Sequence, residues 1–369
     1  MYDVAIVGAG PAGAMLARLI GEQYRVLLVD RRSLDRPPLP ERPGKCCGGL
    51  LSENAQRALA SLGLTPPTSI MTGEQPTHVR VIDADNGLER AYPRPYINCH
   101  RELLDRWLVS LAPDEVDVRC GVALRALEMD EDGATLHLSA DGRQYTERTR
   151  LVVGADGAHS PLRRRLFPRA AFPRQYLAIQ EWYAPAEPLP YHVAIFDRTV
   201  TDFYGWAVSK DGLLAIGAAL APHADAGGHF ARLLARFAEY GIIPGKRLWR
   251  EGALIQRPRR LNEICPGAGR AALIGEAAGW ISPSSAEGFS YAFRSAALLA
   301  EGLATGLEGA VARYTALAHP LCRAIGRDIL KCAGMFTPWV RGLGLQFDRP
   351  VTASQSQPAR SLLAGAIGH

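Results

Sequence analysis

The first thirty residues constrain the fold more than any other stretch. Asp3 to Val7 reads as a buried parallel strand and runs directly into Gly8-Ala9-Gly10-Pro11-Ala12-Gly13. A helix-forming segment with an apolar stripe, Ala14 to Ile20, comes next. A second strand, Arg25 to Val29, ends in Asp30. The first glycine permits a tight turn, the second lets the backbone approach a pyrophosphate, and the third packs helix against strand. The helix N-terminus presents free N–H groups and the positive end of its dipole to the phosphates. Asp30 stands where an acid meets a ribose hydroxyl. The segment reads as a βαβ unit for a dinucleotide, with Gly8, Gly10, Pro11, Ala12, Gly13 and Asp30 as candidate contacts. It does not by itself separate FAD from NAD.

A chain of 369 residues is long enough for two or three lobes. Its 47% hydrophobic and 21% charged residues are ordinary for a globular protein. The net charge of +5 is mild, and the densest basic run is Arg163-Arg164-Arg165. A basic face interleaved with aromatics is missing, which argues against nucleic acid as a partner. The seven cysteines show no metal-type spacing and point to a reducing compartment. The chain starts on a strand, which leaves no room for a signal peptide, and no apolar run reaches the roughly 18 residues of a spanning helix. A cytoplasmic location is the expectation.

Two later motifs narrow the cofactor. Leu151 to Val153 is a strand entering Gly154-Ala155-Asp156-Gly157, and a short helix begins at Pro161. Ala271 to Ile274 is a third strand, ending in Gly275-Glu276. The loop Ser282 to Gly288 and an apolar helix from about Phe289 to Leu303 come after it. In this order the three strand-to-loop junctions resemble the flavoprotein hydroxylase and reductase superfamily with the para-hydroxybenzoate hydroxylase fold. That resemblance implies FAD. It assigns Arg31, Arg101, Gly154, Asp156, Gly157, Gly275, Glu276 and Gly288 to the cofactor, with the third-motif acid on the ribityl chain. Here that acid is Glu276, where the family usually carries Asp. The last helix would aim its N-terminus at the flavin pyrimidine.

The expected architecture is α/β: an FAD-binding Rossmann-type domain with a β-meander, plus an antiparallel-sheet substrate domain with flanking helices. Residues 1–75, 96–170 and 266–320 form the FAD-binding domain, 76–95 and 171–265 the substrate domain, and 321–369 a helical tail. Apolar alternation with turns at Asp132-Gly133 and Asp141-Gly142 marks the meander between Val122 and Thr149. Thr77 to Tyr92 reads as a hairpin around Asp85-Asn86-Gly87. A helix starts near His100-Arg101, and the last fifteen residues or so look poorly structured.

Two shorter stretches resemble the geranylgeranyl reductase branch. Gly44-Lys45-Cys46-Cys47-Gly48-Gly49 is similar to its Lys-Pro-Cys-Gly-Gly segment, with Cys46 in place of proline. Phe203-Tyr204-Gly205-Trp206-Ala207-Val208-Ser209-Lys210 is similar to its Tyr-x-Trp-x-Phe-Pro-Lys segment, with Val208-Ser209 replacing Phe-Pro. The branch implies reduction of a carbon–carbon double bond in an isoprenoid or other lipophilic substrate. Cys47 would be the proton donor, brought over the flavin by the proline-rich excursion Arg36 to Pro43. Tyr204 and Trp206, on one face of a strand, would line an apolar slot or serve as core. An aromatic monooxygenase using NAD(P)H and oxygen is the first alternative, and a non-catalytic flavin-binding regulator the second. Electrons would come from NAD(P)H or a reduced carrier protein. The expected partners are a small lipophilic or aromatic substrate and an electron-donor protein. Peripheral contact with the inner face of a membrane, through Met335 to Val340, completes the set of expectations.

Overall fold

The computed structural model describes residues 1–34, 45–184, 188–222 and 225–347. The excursion at 36–43 and the final stretch expected to be poorly structured lie outside the described residues. The chain opens with β1 (Tyr2–Val7), α1 (Pro11–Ile20) and β2 (Val26–Asp30). Both strands lack polar side chains except at their ends and are almost wholly buried, as parallel strands covered on both faces must be. A short strand β3 (Leu50–Leu51) precedes α2 (Glu53–Ser61), which Ser52 caps by accepting the Ala55 N–H. The hairpin β4 (His78–Asp83) and β5 (Leu88–Pro93) turns through Gly87 at φ +65°. Then come β6 (Ile97–Asn98), α3 (Arg101–Ser110), β7 (Asp117–Cys120) and the meander β8 (Ala123–Met129), β9 (Ala134–Ala140), β10 (Arg143–Gly154). The turn between β9 and β10 has Asp141 and Gly142 both at positive φ, which suits a tight hairpin.

After α4 (Pro161–Leu166) come the long strands β11 (Arg174–Ala184), β12 (His192–Phe196), β13 (Gly205–Lys210) and β14 (Leu213–Leu220). Helix α5 (Ala226–Glu239), strand β15 (Lys246–Arg257), and the pair β16 (Gly267–Ala268) and β17 (Ala271–Leu273) follow. Four helices end the described chain: α6 (Phe289–Leu303), α7 (Ala310–Leu317), α8 (His319–Met335) and α9 (Pro338–Phe347).

Two large sheets result. The first runs β16-β17-β10-β1-β2-β7, with β8 and β9 folded against β10. Its strands β17, β10, β1, β2 and β7 are parallel, and α1 and α6 pack together on one face. The second runs β15-β11-β14-β13-β12-β4-β5. It departs from the antiparallel expectation at one place, because β12 pairs in parallel with β4. That pairing joins the early hairpin to a strand more than a hundred residues later.

The helical tail is not an appendage. Leu321 and Ile325 of α8 lie in the main core, and Arg341 of α9 reaches Asp83 and Asp85 at 2.7 Å. Phe336 packs against Phe196, Phe203 and the Arg257 guanidinium, so only Trp339 of the expected aromatic surface is well exposed. Among the described residues, no helix is long and apolar enough to cross a membrane.

Candidate active site

The three glycine motifs meet at the C-terminal ends of β1, β10 and β17. Ala155 donates to the Val7 carbonyl at 2.8 Å, and Ile274 donates to the Gly154 carbonyl at 3.0 Å. A Cβ on Gly8 would lie 2.4 Å from the Ala155 oxygen, and one on Gly13 only 1.9 Å from the Gly8 oxygen. A Cβ on Gly275 would press on Ala12 at 2.8 Å, and one on Gly154 on Leu273 at 2.6 Å. These glycines let the motifs close on one another. Gly10 behaves differently: nothing lies within 4 Å of its Cβ position, and it begins α1 without a side-chain cap. A helix N-terminus with open space before it is a ready anion site.

This crevice fits FAD. Gly10 and Gly157 have open space where a side chain would point. The side-chain oxygen Oε1 of Gln256 is buried without a partner among the described residues. It stands beside Glu276, whose carboxylate accepts the Gln256 N–H at 2.8 Å. Glu276 is enclosed enough that burial raises its carboxyl above the ordinary value. Lys45 is walled by protein yet open to solvent, as a residue in an open crevice should be. The Arg101 charge, then burial, lowers its ammonium.

A charged chain runs along the crevice. Asp30 accepts the Ala9 N–H at 2.8 Å and pairs with Arg32 at 3.0 Å. Arg32 also pairs with buried Asp105 at 2.6 Å, and Arg101 pairs with Asp105 at 2.8 Å. Asp30 therefore anchors the glycine loop, and Arg32 is the arginine in the chain while Arg31 is exposed. Asp156 has an inward role: it accepts from the Ser160 hydroxyl at 2.6 Å and the Leu162 N–H at 3.1 Å, which caps α4. Arg163 is buried and donates to the carbonyls of Ala277, Ala171 and Glu263, tying the second motif to the third. Gly288 precedes α6, and Glu287 beside it caps that helix by accepting from Ser290.

The second sheet faces this crevice. The adjacent cysteines part company: Cys46 is buried and donates to the Ala178 carbonyl of β11, whereas Cys47 is half-buried and accepts the Gly49 N–H at 3.4 Å. Burial opposes the Arg101 charge, but Asp105 and Cys47 hold it in place. Lys210, at the end of β13, is buried and donates to Asn98 Oδ1 at 2.5 Å and the Cys99 carbonyl at 2.7 Å. Gly49 sits at φ +63°, and a Cβ on it would lie 2.2 Å from the Cys99 carbonyl oxygen, so glycine is required there. Burial pushes Lys210 down to about 8, with Cys99 and Cys47 opposing.

Tyr204 and Trp206 do share a face, with ring centroids 6.0 Å apart. The Tyr204 hydroxyl donates to the Ser285 carbonyl of the third-motif loop at 2.6 Å. The Trp206 ring lies over Gly217, whose absent Cβ would be 2.4 Å from it. Its N–H donates to Gln180, Gln180 donates to Glu251, and Trp182 donates to the same Glu251 oxygen. Burial raises the Glu251 carboxyl, and its other oxygen is buried without a partner among the described residues. Sequence reading missed Arg32, Asp105, Gln180, Lys210, Glu251 and Gln256. Only Lys210 had a local signal, as the last residue of the Tyr-Gly-Trp segment.

The FAD binding domain family matches residues 1–171. The CbrA protein of Shigella flexneri is 36% identical over 340 residues, which cover 92% of each chain. Among solved structures, a geranylgeranyl bacteriochlorophyll reductase-like protein from Thermoplasma acidophilum superposes with a TM-score of 0.80 at 17% identity. The match covers 96% of this chain and 94% of that one. PqsL of Pseudomonas aeruginosa, in complex with 2-aminobenzoylacetate, matches with a TM-score of 0.69 at 22% identity, over 94% of this chain and 99% of its own. At these identities the two structures speak to the fold alone.

Proposed function

The chain belongs to the CbrA family and is an FAD-dependent oxidoreductase, and from that premise we propose that it saturates a carbon–carbon double bond of an isoprenoid or other lipophilic substrate. The observation that carries this reading is the position of Cys47, between Arg101 and the loop over Lys210, beside an aromatic wall. FAD bound in the crevice supplies a hydride once reduced, with electrons from NAD(P)H or a reduced carrier protein. Cys47 gives the proton that the second alkene carbon requires. The Arg101 guanidinium, which bonds the Cys47 side chain, faces the sulfur once the proton has left. Lys210, with its pKa near 8, can return a proton near neutral pH. Tyr204 and Trp206, with ring centroids 6.0 Å apart, hold the alkene and keep water away.

The test follows oxidation of NADPH, or of a chemically reduced flavin, with a panel of polyprenyl and aromatic compounds. A saturated polyprenyl product supports the reading. An oxygen-dependent hydroxylated product replaces it with a monooxygenase. In stopped-flow measurements, Cys47→Ala should leave flavin reduction nearly normal and slow reoxidation by the alkene roughly 10²–10⁴-fold, the usual contribution of a general acid. If only Cys46→Ala is impaired, the proton comes from the other thiol. If both variants turn over normally, the cysteine pair has no part in proton transfer.

A further inference from the structure

Most arginines that anchor the fold face a carboxylate, as Arg32, Arg101, Arg236, Arg250 and Arg341 do. The cations around α8 do not. Two clefts, of about 680 and 840 Å³, flank this helix and share Arg294, Ala324 and Arg327. Among the described residues, Arg259, Arg260, Arg294, Arg323, Arg327 and Lys331 line them, are exposed, and have no ion-pair partner. The single carboxylate on either wall is Asp328, which accepts from Ser282 at 2.6 Å. Six unpaired cations thus share one face of a chain whose net charge is +5.

We propose that the α8 face docks on an anionic lipid bilayer. Charge complementarity calls for an anionic surface, and clusters of four to eight basic residues on an amphipathic helix suit acidic headgroups. The apolar side chains decide for lipid. Leu261 and Leu330 stand on the rim of the larger cleft among the arginines, 49% and 76% exposed. Leucines interleaved with long cationic side chains suit the headgroup–acyl boundary, where the leucines sink and the cations reach phosphate. Mobile headgroups also adapt to scattered charges along a ridge between two clefts. The Asp328–Ser282 bond places α8 directly against the third-motif loop, so the docked face borders the crevice. The inference does not depend on which substrate is reduced.

Flotation of the full-length flavin-loaded protein tests it, with phosphatidylcholine vesicles with and without phosphatidylglycerol. The protein should rise with the anionic vesicles at low salt and stay behind at high salt or with neutral vesicles. Each surface cation contributes roughly fivefold to partition. The triple variant Arg323→Gln, Arg327→Gln, Lys331→Gln should therefore bind about a hundredfold more weakly, with bound flavin unchanged. Single Arg→Gln variants, each about fivefold weaker, serve if the triple variant is unstable. Leu330→Ser should lower affinity several-fold without altering the salt dependence. Equal recovery on neutral vesicles, no recovery on anionic ones, or undiminished binding by the cation variants overturns the proposal. Undiminished binding would move the contact elsewhere, for example to the Trp339 face of α9.

Discussion

The two walls of the crevice are built from different materials. The cofactor wall is backbone: Gly8, Gly13, Gly154 and Gly275 bring three strand ends within contact distance, and an added Cβ would collide at each. The opposing wall is side chain: Trp206 from β13, Gln180 and Trp182 from β11, and Glu251 from β15 bond across three strands. This wall tolerates almost no change at Gly8 and Gly13, because the clashing atoms there are main chain and cannot rotate away, whereas Gly154 and Gly275 press on the side chains of Leu273 and Ala12. A side-chain wall can be edited residue by residue. Binding a common cofactor suits the first construction, and tuning to a particular substrate suits the second.

Gly13→Val should have the largest effect. Its Cβ would lie 1.9 Å from the Gly8 carbonyl, so α1 must separate from β1. The cost is about 4 kcal/mol or more, in the range reserved for core overpacking combined with lost backbone pairing. The purified variant should be colourless, and its thermal transition should fall or vanish. Gly10→Ala is the matched control, since its Cβ meets nothing. It should keep the parent's stability while retaining less FAD, measured as flavin absorbance per protein. Equal flavin retention in both variants would break the contrast between a packing glycine and a ligand-facing one.

Arg163→Met comes next. The guanidinium serves three carbonyls, and its loss leaves buried acceptors unpaired at about 1–3 kcal/mol each before relaxation. A net loss of about 3 kcal/mol in denaturant unfolding is expected. Arg165→Met, two residues on and exposed, should lie within about 0.5 kcal/mol of the parent. Equal costs for the two would show that the second and third motifs are not joined through Arg163.

These residues also show what the sequence makes legible. A position where only glycine fits leaves a mark in the chain, and so do tight turns such as Asp141-Gly142 and Asn86-Gly87. The three motifs, the meander and the hairpin were therefore readable. The run Arg163-Arg164-Arg165 read as a basic stretch because nothing local separates the buried member from its exposed neighbours. Gln180 and Glu251 are adjacent only through the β11–β15 register, which pairs them directly. Helix α9 lies within the expected helical tail, but its bounds and packing were not legible, since Gly342 and Gly344 weaken it locally. Its support is tertiary: Arg341 is held by Asp83 and Asp85, and Gly342 lets the helix approach Asn86, where a Cβ would lie 2.9 Å away.

His192 tests how closed the second sheet is. Burial lowers its pKa from 6.5 to about 4, and its Nδ1 has no partner among the described residues. Between those values the unfolded chain binds the proton more readily, so stability is lost as pH falls from about 6.5 towards 4. The ring is not wholly shielded from solvent, which reduces the effect to about 1–2 kcal/mol at pH 5. His192→Phe should remove this part of the pH dependence in unfolding experiments at pH 5 and 7. A variant with the parent's slope would place the titrating group elsewhere.

The smallest stability change is expected on the side-chain wall itself, from Trp206→Phe. Phenylalanine keeps an aromatic face over Gly217 but cannot donate to Gln180, a bond of 2.9 Å. One such bond is worth about 0.5–1.5 kcal/mol, and Gln180 remains tethered by its own donation to Glu251 at 2.8 Å. Folding and flavin content should therefore be close to the parent's. The functional consequence is larger than the thermodynamic one, because Gln180 Oε1 loses its donor beside the ring at 206 and becomes an acceptor for a polar ligand. KM for a purely apolar alkene should rise several-fold with little change in the flavin reduction rate. A substrate carrying a hydroxyl should lose less. Substitution on the cofactor wall would do the reverse, removing flavin before altering preference among substrates. If Trp206→Phe loses flavin as Gly13→Val does, the two walls are one cooperative unit and the division between them is wrong.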